Sequence, residues 1–173
     1  PGPSVLNIIA SMAAAFLVGA AWIFLPAILK IRKKIDEIIT TVMMNYIGIQ
    51  VVSFVLSGPM KDSDALYPVT AEIPFRLPTL IPGTSASYGF VITIIIAVLA
   101  SAVISLTRAG LQLRAVGYNR VASRYAGIRD ARVVMISMLV SGGIAGMAGA
   151  TEILGFQHRL QDGFSPGFGM QGL

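Results

Sequence analysis

The stretch YGFVITIIIAVLASAVISLT, residues 88–107, carries no charged side chain. Crossing about 30 Å of hydrocarbon takes about 20 mostly apolar helical residues, and this run is that long. One such segment is also compatible with a buried helix in a water-soluble core. The neighbouring sequence decides between the two. Three more segments have the same character: 4–29 (SVLNIIASMAAAFLVGAAWIFLPAIL), 35–57 (IDEIITTVMMNYIGIQVVSFVLS) and 131–155 (ARVVMISMLVSGGIAGMAGATEILG). Only 12% of the 173 residues are charged, 55% are hydrophobic, and the mean hydropathy is +0.77. A soluble domain has about 25% charged residues, and this chain has too few to cover a water-facing surface. The expected fold is all-α: a polytopic membrane fragment of four spans within a single transmembrane domain, 1–173.

The basic residues orient these spans. Ten of the 13 fall in two connectors. Lys30, Arg32, Lys33 and Lys34 lie between spans one and two. Arg108, Arg114, Arg120, Arg124, Arg129 and Arg132 lie between spans three and four. Both connectors are on the same side of a four-span bundle, and lysine and arginine mark the cytoplasmic side. The loop 58–87 is then external. It holds Pro59, Pro68, Pro74, Pro78 and Pro82, which oppose regular helix. It reads either as a plain connector or as a docking surface.

Several chemistries are excluded. There is no cysteine, so no disulfide, thiol nucleophile or thiolate metal site. A single histidine, His158, makes no metal cluster. No GxxxxGK[ST] phosphate loop is present, so this chain holds no ATPase site of that kind and no cofactor is expected in it. The net charge of +5 is explained by the connectors rather than by nucleic acid. Asp36-Glu37, Asp62, Asp64 and Asp162 have no nucleophile or metal partners, so no catalytic residue is assigned. Asp36 and Glu37 suit the first turn of span two. The chain opens on Pro1-Gly2-Pro3-Ser4 and closes on FSPGFGMQGL, and it reads as a piece of a longer protein.

Two spans carry a pattern beyond hydropathy. In span two, Thr41, Asn45 and Gly48 form one stripe, and Tyr46, Gln50, Ser53 and Ser57 form another beside it. A polar face at bilayer depth needs water or other helices. Thr41, Asn45 and Gln50 are therefore candidates for the wall of a solute path; interhelical hydrogen bonding uses the same residue types. In span four, small residues form the rows Ser137, Ser141, Ala145, Gly149 and Gly142, Gly146, Ala150. The second row is a GxxxG pattern for close helix packing. The same glycines permit a break in the helix. Glu152, about 30 Å along an unbroken helix from Arg132, is expected near the outer interface.

The connector 108–130 contains RAVGYNRVASRYAGI, residues 114–128. Asn119 is a good N-cap, Arg120–Ala126 is helix-compatible, and Gly127 suits the left-handed position after a helix. Ala122 and Ala126 give a smooth face at i, i+4. A helix of about two turns is unstable alone. A capped one projecting from a membrane domain offers something for a partner to grip.

This segment, with SGGIAGMAGATE (141–152), GFSPGFGMQG (163–172), DEIITTVMMNYI (36–47) and GPMKD (58–62), resembles the permease subunits of bacterial ABC importers for nucleosides and simple sugars, within the ribose and branched-chain amino acid permease group. The resemblance covers about residues 30–173. It implies an inner-membrane, multi-pass subunit with further spans, a second permease subunit, ATP-binding subunits that bind the ATP, and an extracytoplasmic substrate-binding protein. It also implies that Gly117, Asn119, Ala122, Ala126, Gly127 and Ile128 form the segment coupled to the ATPase. Ser123 departs from a common alanine. The expected solute is a nucleoside; a simple sugar or branched-chain amino acid is the alternative. A secondary transporter and a non-transport scaffold are the rivals from other classes.

Overall fold

A computed structural model of the chain describes residues 5–58, 69–70, 88–157 and 159–160. Six α-helices follow in order: α1 (Val5–Ile28), α2 (Glu37–Ser57), α3 (Tyr88–Leu106), α4 (Arg108–Tyr118), α5 (Arg120–Tyr125) and α6 (Asp130–Glu152). Four of the helical stretches are long and apolar enough to cross a membrane: Leu6–Lys33, Glu37–Ser57, Tyr88–Leu106 and Asp130–Gln157. The fold is thus an all-α, multi-pass membrane bundle. Most of the loop 58–87 and all of 161–173 lie outside the described residues, as does His158.

The tightest packing is between α1 and α6, and glycine makes it possible. A Cβ built on Gly19 would lie 3.0 Å from Gly146 Cα and 3.1 Å from the Gly142 carbonyl carbon. One on Gly142 would meet Gly19 O at 2.8 Å and Ile23 Cγ2 at 2.6 Å. The Phe16 ring lies over Gly143, within 2.7 Å of where a Cβ would be. The two backbones therefore touch. In hydrocarbon, helix pairing depends on such van der Waals contact, since lipid tails are as apolar as leucine. Gly142 and Gly146 thus lie on this seam, and Ala150 continues their row in a half-buried position. The α6 helix runs unbroken through its glycines and ends in a π-helical turn, Ile153–Gln157. Glu152 is half-buried just before that turn.

The α1 helix carries Pro26 in its last turn. Proline has no N–H to give the carbonyl one turn back, which loosens the helix locally. Three residues later the helix widens into a π-helical turn, Leu29–Lys33. Lys34 then adopts φ 55°, ψ 27°, the left-handed region that a non-glycine residue seldom occupies. The chain reverses there into α2, whose first N–H groups are capped by Asp36: its side chain accepts from Ile38 N at 2.9 Å.

Between α3 and α4 the chain turns at Thr107, whose hydroxyl accepts from Gly110 N at 3.2 Å. A side chain at Gly110 would stand 2.5 Å from the Val103 carbonyl oxygen, so only glycine allows the fold-back. The connector expected over 108–130 is therefore mostly helix: α4 occupies its first half. An open, largely apolar groove of about 560 Å³ lies between α3, α4 and α6, with Leu99, Val103, Leu113, Ile136 and Val140 among its walls.

Candidate functional site

The basic end of the bundle carries a short capped helix. The Asn119 side-chain oxygen accepts from Val121 N (2.9 Å) and Ala122 N (3.1 Å), filling two of the donors left open at a helix start. At the other end Gly127 N donates to Arg124 O (2.9 Å) and Ile128 N to Ser123 O (3.0 Å). Those two bonds, with Gly127 at φ +79°, form a Schellman motif. Both ends of α5 are thereby fixed by local hydrogen bonds, which is how so short a helix persists.

Its faces are unlike one another. Ser123 is buried, and its hydroxyl donates to Arg120 O at 2.9 Å. Ala122 and Ala126 are exposed, and Ala126 ends the helix rather than lying within it. Val121 is 64% and Tyr125 89% exposed. They lie at i, i+4, beside the small face of Ala122 and Ala126. Tyr118, 90% exposed, precedes the cap. Nothing in the described structure covers a side chain at Gly117, since a Cβ there would meet no atom within 4 Å. Sequence reading selected the alanines and passed over Tyr118, Val121 and Tyr125. The i, i+4 spacing of Val121 and Tyr125 was the available signal.

An ion pair ties α5 to the next span. Arg124 Nη2 donates to Asp130 Oδ2 at 2.7 Å. The carboxylate raises the Arg124 pKa above its ordinary value, so the pair is charged throughout the physiological range. Across from it, Lys30 pairs with Glu37, joining the end of α1 to the start of α2. Between the two pairs lies a cleft of about 410 Å³.

Span two presents its polar residues in two directions. Thr41 is half-buried, and its hydroxyl donates to its own helix, to Glu37 O at 2.7 Å. Gly48 faces α1, where a Cβ would touch the Trp22 ring at 3.5 Å. Asn45 and Gln50 are exposed, and Gln50 shares a shallow, otherwise apolar depression with Tyr46, Ile47, Val51 and Phe54. The structure thus brings Gly48 to the α1 contact and leaves Asn45 and Gln50 outside it. Among the described residues no group of three His, Cys, Asp or Glu is placed to hold a metal ion.

Comparison with known proteins gives a family and several relatives. The family described as branched-chain amino acid transport system / permease component matches residues 3–173. A guanosine ABC transporter permease protein of Bacillus subtilis is 35% identical over 99% of this chain and 51% of its own length. A glucose ABC transporter permease protein of Haloferax volcanii is 30% identical over 90% of this chain and 44% of its own. A nucleoside ABC transporter permease protein of Lactococcus lactis is 31% identical over 81% of this chain and 41% of its own. The chain therefore spans about half the length of these relatives or less. No solved structure matches.

Proposed function

The chain belongs to the branched-chain amino acid transport system permease family, and from that premise we propose that it is part of the transmembrane subunit of an ATP-driven importer. Its spans form part of a solute path, and a separate ATP-binding subunit docks on α5. The solute is a nucleoside, a reading supported by the guanosine and nucleoside permeases among its relatives. The glucose permease favours a simple sugar as the second reading. The basic end faces the cytoplasm, as its lysines and arginines direct, and the membrane is the bacterial inner membrane. A second permease subunit and an extracytoplasmic binding protein complete the assembly. The ATP is held by the partner, not by this chain.

One observation carries the docking assignment: a helix fixed at both ends exposes Val121 and Tyr125 beside a smooth alanine face. Apolar side chains this exposed, outside the spans, mark a contact surface. The contact works by shape, so a substitution that adds bulk and charge to it should be far worse than loss of one guanidinium. Surface ion pairs contribute only about 0–1 kcal/mol. In the complete complex reconstituted in vesicles, Ala126→Glu should reduce uptake and substrate-stimulated ATP hydrolysis by about tenfold or more, the scale of an uncompensated charge in a packed contact. Arg124→Ala should stay within about fivefold. Full activity of Ala126→Glu with an inactive Arg124→Ala would make the contact electrostatic and sink the packed-helix reading.

A further inference from the structure

The cleft at the basic end is lined on one side by the α1–α2 turn, with Lys30, Lys34, Asp36 and Glu37, and on the other by Arg120 and Arg124 of α5 with Asp130 of α6. Most of these charges are already committed. Lys30 holds Glu37 within the first wall, and Arg124 holds Asp130 within the second. One Asp36 oxygen caps Ile38 N. Arg120 makes no ion pair among the described residues, yet it is near enough for its charge to act on both Glu37 and Asp130. It lines the same open cleft as Asp36 and Glu37. The lining holds four basic and three acidic side chains, Lys30, Lys34, Arg120 and Arg124 with Asp36, Glu37 and Asp130, and this mixture of both signs fits closure of the chain on itself.

We propose that Arg120 is a positioning residue whose guanidinium closes the cleft onto the carboxylates at the start of α2, and so links α5 to the turn between α1 and α2. An arginine suits the task, because its planar fork of donors bonds one or two carboxylates while remaining charged. Without the link, α5 is held by its packing on α4 and α6. With it, movement of α5 also reaches the first two spans. The consequence for transport rests on the docking reading above; the closure itself does not.

The test uses the complete permease with its ATP-binding subunits in nanodiscs. Spin labels sit on cysteines replacing Ile35 and Ala131, which are uncharged and line the cleft from α1–α2 and from α6; the native chain contains no cysteine. Electron-spin distance measurement then reports the closed fraction. At about 0.05 M salt, Arg120→Gln should lower the ratio of closed to open cleft about two- to fivefold, the range of an exposed ion pair. Arg120→Lys should restore most of it, because the charge is kept. Raising salt to about 0.5 M should remove the difference between the native residue and glutamine. Identical distances with arginine and glutamine at low salt, or a lysine variant as open as glutamine, would overturn the proposal. Uptake per ATP hydrolysed should fall about two- to fivefold in Arg120→Gln with the ATP-binding subunit still bound; an unchanged ratio also counts against it. If no ATP-binding subunit co-purifies, the docking reading fails, while the distances on the permease alone still decide the closure.

Discussion

Replacing Gly19 with alanine tests the contact that organises the bundle. The new Cβ would stand 3.0 Å from Gly146 Cα and 3.1 Å from the Gly142 carbonyl carbon, where ordinary contact begins at 3.4 Å. It would be closer still to the Gly142 carbonyl oxygen. All three obstacles are backbone, so no side-chain rotation relieves them. The helices must separate, and separation also loosens Phe16 on Gly143 and Ile23 on Gly142. Overpacking of this kind costs about 1–3 kcal/mol. Alanine is the better helix former by about 1 kcal/mol, which offsets part of that. Gly149→Ala is the control: it lies in α6, the helix that Gly19 packs against, but a Cβ there meets nothing within 4 Å. It gains the propensity and has no clash to overcome. The propensity gain is common to both, so the two variants should differ by the overpacking cost, about 1–3 kcal/mol, with Gly19→Ala the less stable. Denaturant unfolding in mixed micelles, followed by the fluorescence of the single tryptophan, measures the difference. Trp22 lies one turn from Gly19 and packs against Gly48, so its signal reports this region. Equal stability of the two variants would mean that α1 and α6 are not in backbone contact.

The other predictions concern topology and the solute path. An impermeant thiol reagent on intact cells should label a cysteine at Asp64 and not one at Lys33 or Arg129; labelling at 33 or 129 would reverse the orientation. Lys33 and Arg129 are both exposed, so burial would not mask either position. Asn45→Leu should impair uptake by about tenfold, the loss expected of a polar contact to a bound solute, while leaving the complex assembled. Normal uptake, or a complex that falls apart, would assign Asn45 to helix packing. Thr41→Val should have the milder effect, since the Thr41 hydroxyl already bonds its own helix.

What the sequence made legible follows the range of the forces involved. The four spans are readable because transfer into hydrocarbon sums over about 20 residues and needs no knowledge of neighbours. The ends of α5 are readable because caps are local: Asn119 bonds residues two and three ahead, and Gly127 needs only its own φ. The α4 helix was less visible. Its charged residues disguised it as loop, although Thr107 is a cap and Gly110 marks a close approach. The glycine row of α6 predicted close packing but not its partner, because Gly19 is one lone glycine in a span of ordinary composition. The rotation of α5 was beyond reach for the same reason. Which side of a short helix is buried depends on the elements around it, and they bury Ser123 rather than the alanine pair. The polar stripes of α2 show the limit most plainly. Their period put Thr41, Asn45 and Gly48 together, but Gly48 faces Trp22 while Asn45 is exposed.

The strengths of these contacts bear on how force would travel. The path from α5 to α6 is short: the four residues 126–129, which carry a Schellman motif, and the Arg124–Asp130 pair. The path from α6 to α1 is a seam of touching backbones, which neither compresses nor slides without losing contacts along its length. By contrast, where α2 meets α1 at Trp22 and Gly48 the approach is an ordinary van der Waals contact. The α3 helix leaves an apolar groove of about 560 Å³ between itself and α6. A push on α5 by a docked partner would therefore move α6 and α1 together, as one body, past α2, with α4 carrying part of it to α3. Asn45 and Gln50 lie on α2, away from that body's main seam. Displacement between the paired helices and α2 is the kind of relative motion that opens and closes a path along a polar face. If a partner docks on α5 as proposed, the Gly19 seam would make the push effective, and closure at Arg120 would set how much of it reaches α2.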